Sequence, residues 1–273
     1  MTQNKLLPRE IEVSLLREAS MSSMAIGIGL THIRQYHFTH TGFFYSGLLS
    51  FTSGIERLLK LILIYDYRLN NADAFPQNSY LKTLGHKLDD LIKKAREINT
   101  TQGTQVNDSF FDNDVLYQSL TSFLTDFAVQ ARYYNLDYLT GKQQGGIEPL
   151  ARWDKEICTE MLKRHYKPKP KMLEMKKRLA DELENFTSVI HINEDGSAIN
   201  TVSDLAVKGD LIPTKQKYSM FYLYTVARFL SELCSELEYK GNFYPYLREF
   251  FVLFRIEDNR YVLNRKRWLP NSL

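Results

Sequence analysis

The chain has 273 residues, of which 44% are hydrophobic and 25% charged, and its formal net charge is +3. These proportions match a folded globular protein and exclude wholesale disorder, collagen-like repeats and a membrane channel. The charge is too small to mark a nucleic-acid binder by itself, and the length fits one large helical bundle with added elements, or two domains.

The two cysteines, Cys158 and Cys234, lie far apart in apolar helical patterns. Neither a zinc knuckle nor a disulfide framework follows from them, so a reducing compartment is expected. The opening segment carries Arg9, Glu10 and Glu12 and no continuous apolar run, which argues against a secretory signal and for a cytoplasmic protein. Residues 42–67 are long and apolar enough to suggest a bilayer span. Glu56, Arg57 and Lys60 would be costly there, so a buried helix and no membrane partner are expected.

In chain order, Ile11, Leu15, Leu16, Met24, Ile28 and Ile33 recur at helical intervals after Pro8, predicting a long helix over 8–35. A joint holding His37 and His40 leads to a second helix striped by Phe44, Leu48, Phe51, Ile55, Leu58, Leu59 and Ile62, and the short joint predicts an antiparallel pair. A loop over 70–79, a helix from Leu81 and a polar loop over 99–107 follow. Val115, Leu116, Leu120, Phe123, Phe127, Ala131 and Leu136 then mark one face of a closing helix that stops at Gly141.

Glycines over 141–146 set a boundary between a bundle of residues 1–141 and a second part of residues 147–273. Beyond it, helices over 151–166 and 172–186 are separated by Pro168 and Pro170. Residues 189–192 and 198–199 flank Asp195-Gly196 as a hairpin. A helix over 214–239 precedes a second hairpin pairing 250–256 with 261–263 across Glu257-Asp-Asn259. The expected class is mainly α: a helical bundle, then a second helical part with one or two small β-hairpins.

Ser53-Gly-Ile-Glu56-Arg-Leu-Leu-Lys60, Leu84-Gly-His86-Lys-Leu88-Asp-Asp-Leu91 and a long closing helix bearing Arg132 together resemble bacterial proteins of the HEPN superfamily, over the first half of the chain. The resemblance implies a helical bundle, often dimerised through its closing helices, found in RNA-cleaving toxins, antiviral defence proteins and non-catalytic interaction modules. It further implies RNA or another protein as partner, a homodimer, and a role in defence or stress biology. The family's metal-independent ribonucleases follow an Arg on the closing helix with a His about four to six residues later. Here Arg132 is followed by Tyr133-Tyr-Asn135-Leu-Asp137-Tyr138, with no histidine, while Arg34 and His40 have the spacing but fall between the first two helices. The implied function is RNA binding or protein association without catalysis, or a ribonuclease with a displaced catalytic set.

Several polar residues are candidates for that set. Arg132, Asn135 and Asp137 read as a cluster in which Arg binds phosphate and its neighbours orient a hydroxyl, or as a structural ion pair near a helix end. His86 reads as an acid or base, or as a helix cap. Glu56 answers Arg132 or His86 across the bundle, or faces solvent beside Arg57. His32, His37 and His40 lack a nearby carboxylate and make a weak metal site, and no Walker, Gly-x-Ser-x-Gly or His-Glu-x-x-His pattern occurs. Neither a metal nor a cofactor is expected.

From Gly241 onward, six basic residues, including Arg255, Arg260, Arg265, Lys266 and Arg267, stand against three acids, with Trp268 among them. That stretch reads as a nucleic-acid track with a stacking indole, or as a solvated face. The 17 Tyr and 16 Phe leave a third expectation, a structural partner protein with aromatic contact surfaces.

Overall fold

Two long antiparallel helices form the framework: α1 (Arg9–Gln35) and α2 (Gly42–Asn70). The computed structural model describes residues 7–142 and 146–269. The α1–α2 contact is unusually close because glycines replace side chains along it. A Cβ added at Gly29 would lie 2.6 Å from Cβ of Phe51, and one at Gly54 would lie 2.7 Å from the backbone nitrogen of Ile26. Ser22 Oγ donates to the carbonyl of Gly54 at 2.8 Å across the same seam. Replacing Gly54 with alanine therefore sets two effects against each other. Helix propensity favours alanine by about 1 kcal/mol, while overpacking against rigid backbone costs about 1–3 kcal/mol. The expected net result is a loss of up to about 2 kcal/mol, read as a lower urea midpoint with an unchanged m-value.

The chain continues through α3 (Asn78–Thr83), α4 (Leu88–Thr101), α5 (Phe110–Asn113) and α6 (Val115–Val129). A 3-10 turn, Ala131–Tyr133, and α7 (Tyr134–Leu139) follow. Beyond residue 146 come α8 (Pro149–Trp153), a π-helical turn (Asp154–Cys158), α9 (Thr159–His165) and α10 (Pro170–Glu184). A two-stranded antiparallel sheet pairs β1 (His191–Ile192) with β2 (Ala198–Ile199), His191 opposite Ile199. Last are α11 (Val202–Gly241), a 3-10 helix (Leu247–Phe254) and α12 (Asn259–Asn264).

Helices α4 and α6 pack on one side of α2, and α11 lies across α1 and α2. The resulting core is a single cluster that runs through residues on both sides of Gly141. Trp153 joins the two stretches directly, its ring 5.0 Å from Phe123 and 5.7 Å from Phe44. The architecture is thus mainly α, with one small hairpin among the described residues. No helix among them is long and apolar enough to cross a membrane.

Three expected elements differ. The second hairpin is absent: residues 250–256 fall mostly in the 3-10 helix, with Leu247, Phe251 and Phe254 buried at helical spacing, and Tyr261 opens into α12. Asp258 caps α12 by accepting the backbone N–H of Arg260 and Tyr261, so the polar residues read as a hairpin turn are a helix start. The closing helix does not run to Gly141. It breaks at Gln130 (φ −129°, ψ −47°), leaving Ala131 and Leu136 on separate short elements. Finally, α11 begins at Val202 and carries Pro213 within it, well ahead of the expected start at residue 214.

Candidate functional site

Glu56 lies mid-helix in α2, and its side chain is only 23% exposed. Lys60, one turn on, donates to Glu56 Oε1 at 2.6 Å. From the other side His86 reaches the same oxygen through Nδ1, at 2.8 Å. His86 stands on the turn between α3 and α4, where Gly85 at φ +68° supplies the left-handed conformation that aims the next residue back at α2. The start of α4 is pinned by the Asp89 amide, which donates to Thr125 Oγ1 of α6 at 2.9 Å.

A carboxylate only accepts hydrogen bonds, so His86 Nδ1 carries the proton and Nε2 is the basic nitrogen. Nε2 has no hydrogen-bond partner among the described residues. Burial alone would raise the Glu56 carboxyl, but the hydrogen bonds from Lys60 and His86 outweigh it and hold the pKa below its ordinary value. Glu56 is therefore ionised at neutral pH and fixes the imidazole's tautomer.

The break at Gln130 brings Arg132 to the same place. Glu56, His86 and Arg132 line one cavity of about 690 Å³, together with Glu18, Arg57 and Lys60 and an apolar wall that includes Leu61, Ile64 and Leu81. Arg57 is paired with Glu18 at 2.6 Å and Lys60 with Glu56. Arg132 has no carboxylate partner among the described residues, and its guanidinium stands 5.0 Å from the Tyr133 ring. Of the three fixed cations around the cavity, it alone keeps its fork of N–H donors available to an anion.

Asn135 and Asp137 do not join Arg132. Asn135, on α7, lines a second hollow with Tyr45, Glu148 and Glu194, and Asp137 pairs with Lys142 at 2.9 Å. The contiguous Arg132-Asn135-Asp137 cluster is thereby corrected, because the helix that would have carried it is broken. Arg34 is buried and its guanidinium donates to Gln216, while His40 Nδ1 meets the Thr39 hydroxyl at 2.8 Å; neither lines the Glu56 cavity. Among the described residues no group of three or more His, Cys, Asp and Glu is placed to hold a metal ion.

The C-terminal basic stretch is dismantled as a stacking track. Trp268 is fully buried, its ring 4.7 Å from Tyr224, and a buried indole has no face to offer a base. Arg255 turns inward, donating to Ser235 Oγ at 2.9 Å and to the carbonyl of Arg248. Arg265 folds over Tyr261 and Trp268. Arg260, Lys266 and Arg267 remain exposed.

One charged group was not singled out from the sequence. Glu194, in the β1–β2 turn, is 6% exposed, as is Lys215 of α11. Lys215 donates to Asp154 of the π-helical turn and to Glu194 Oε1 at 3.1 Å. Lys208 donates to the other Glu194 oxygen, and Tyr36 Oη donates to Glu194 Oε1 at 3.1 Å. The available signal was Lys215 itself, which heads the buried series Ser219, Tyr222, Val226 and Leu230 at helical spacing. Comparison with protein-family models, with curated proteins and with solved structures gives no match.

Proposed function

We propose that the Glu56–His86–Arg132 cavity binds the phosphodiester of single-stranded RNA and cleaves it without a metal. The convergence of an oriented imidazole and an unpaired guanidinium on one cavity carries this reading. Arg132 takes the phosphate oxygens through its N–H fork. His86 Nε2 accepts the ribose 2′-hydroxyl proton, and Glu56 stabilises the imidazolium that forms. The 2′-oxygen bonds to phosphorus, the bond to the 5′-oxygen breaks, and that oxygen is protonated by water. The products are a 2′,3′-cyclic phosphate and a 5′-hydroxyl.

The likeness to HEPN proteins supports the same substrate, with His86 from the α3–α4 turn standing in for the missing histidine after Arg132. The nucleophile belongs to the substrate, so RNA is the expected class and DNA is excluded by chemistry. The test is cleavage of end-labelled RNA, DNA of the same sequence and 2′-O-methyl RNA, all in excess chelator. Only unmodified RNA is expected to be cut, with the rate falling by about a hundredfold in His86→Ala and in Arg132→Ala. Both side chains are exposed, so matched thermal midpoints are expected. RNA left intact by the wild type, or cut equally by the variants, rejects a catalytic site here. RNA bound but uncut, with binding lost in Arg132→Ala, would leave a phosphate-binding module.

A further inference from the structure

Glu56 and Arg57 are consecutive on α2, and a helix turns by about 100° per residue, so their side chains leave it toward different walls of the cavity. Glu56 holds His86 on the α3–α4 turn. Arg57 reaches α1 instead, donating through Nη1 to Glu18 Oε2 at 2.6 Å. Glu18 and Arg57 thus line the cavity that His86 and Arg132 also line, yet the proposed cleavage uses neither. Among the described residues Glu18 Oε1 accepts no hydrogen bond, and Arg57 Nε and Nη2 donate none. The two side chains are 43% and 40% exposed. With its charge balanced by Glu18, Arg57 suits a neutral acceptor better than an anion, and the anion falls to Arg132.

The pair is a row of hydrogen-bonding groups in a set order. Read from Arg57 to Glu18, it offers an N–H donor, then the acceptor Oε2, then the acceptor Oε1. Along the Watson–Crick edge, uracil presents acceptor, donor, acceptor; adenine presents donor then acceptor; cytosine presents donor, acceptor, acceptor. Guanine alone presents the complement, the O6 acceptor followed by the N1–H and N2–H donors. We propose that the Glu18–Arg57 pair binds the Watson–Crick edge of guanine, Arg57 donating to O6 and the Glu18 oxygens accepting from N1–H and N2–H. The bond from Nη1 to Oε2 stays in place, because a carboxylate oxygen accepts more than one hydrogen bond. Leu61 and Ile64 follow Arg57 at helical spacing on the same face of α2, and they line the cavity too, giving the purine ring an apolar floor. The inference rests on the RNA reading above: the ribose held at His86 carries the guanine, so the cut falls on the 3′ side of guanosine.

The test is calorimetric titration of the full chain with the 3′-monophosphates of guanosine, adenosine, cytidine, uridine and inosine. None of these ligands has to be cleaved, so the result is independent of catalysis. Guanosine 3′-monophosphate is expected to bind about tenfold or more tighter than the adenosine, cytidine and uridine compounds. Inosine 3′-monophosphate, which lacks the N2 amine, should fall between. Glu18→Gln exchanges one acceptor for a donor and should abolish the preference, with an unchanged thermal midpoint because the side chain is half-exposed. Arg132→Ala should weaken all the nucleotides by a similar factor and leave the preference intact. Equal binding of all the nucleotides, a preference untouched by Glu18→Gln, or no binding at millimolar concentration overturns the proposal. Mapping the cuts in end-labelled RNA gives a second readout. Cuts confined to guanosine in the wild type and spread over other bases in Glu18→Gln are expected, and wild-type cuts after every base overturn the proposal. A protein that prefers guanosine 3′-monophosphate but cleaves no RNA keeps the base site and rejects the catalytic reading alone.

Discussion

Lys215→Ala is expected to lower stability by about 3–5 kcal/mol at neutral pH, because it takes the more deeply buried of two counter-ions from the Glu194 carboxylate and leaves Lys208 alone to balance it. The Lys215 side chain is 8% exposed, and the Glu194 side chain it meets is 4% exposed. Burial works against the ammonium, but the carboxylates of Asp154 and Glu194 beside it outweigh that and raise the Lys215 pKa. For Glu194 burial pulls upward, and Lys215 with Lys208 holds the carboxyl below its ordinary 4.5. The sign of the pH dependence follows. A carboxylate whose folded pKa is depressed contributes stability that is present above the unfolded value and lost as pH falls through the folded one. The gap between wild type and Lys215→Ala should therefore be full at neutral pH and close below pH 4.5. Denaturant titrations at neutral and acid pH measure both, and a gap that stays constant with pH would remove the ion pair as its cause.

Trp268→Ala is expected to cost a similar amount, about 3–5 kcal/mol. The indole is fully buried between Tyr224 and the Arg265 guanidinium. Its backbone amide donates to Thr31 Oγ1 at 2.9 Å, and Thr31 in turn donates to the carbonyl of Gly27 at 2.7 Å. A Cβ on Gly27 would sit 2.5 Å from the Trp268 carbonyl oxygen, so α1 is notched to receive this segment. The indole nitrogen has no hydrogen-bond partner among the described residues. Trp268→Phe removes that unpaired donor while keeping most of the ring, and should recover most of the loss. Paired thermal melts of the two variants give the comparison, and equal losses would show that the ring volume kept by phenylalanine recovers nothing.

The long helices were legible because they declare a face. Phe44, Leu48, Phe51, Ile55 and Leu58 are all fully buried, as a helical period in α2 requires. The first hairpin was legible from Asp195-Gly196, with Gly196 at φ +85°. The second failed because a short apolar run has no period to separate strand from helix, and Asp258 serves a helix cap as well as a turn. Trp268 was misread for a related reason: residue type says what an indole can do, and only packing says whether it is accessible. Within the site, the sequence supplied Glu56, His86 and Arg132 as separate suspects. Their convergence depends on the break at Gln130 and the left-handed turn at Gly85, both tertiary in origin. The buried Lys215–Glu194 pair stayed hidden because a lysine in an apolar stripe looks like a lapse in the pattern until its counter-ion, far along the chain, is placed beside it.

The Thr31–Trp268 bond closes a loop of 237 positions, and its timing matters during synthesis. Helix α1 leaves the ribosome long before the segment that fits its glycine notch. The α11 face that covers α1 and α2 also arrives late. From the completion of α2 until α11 emerges, the nascent chain thus carries an uncovered apolar helix pair, the kind of surface that engages chaperones and promotes association between unfinished chains. A ribosome stalled before codon 268 holds a protein whose core is formed but not shut.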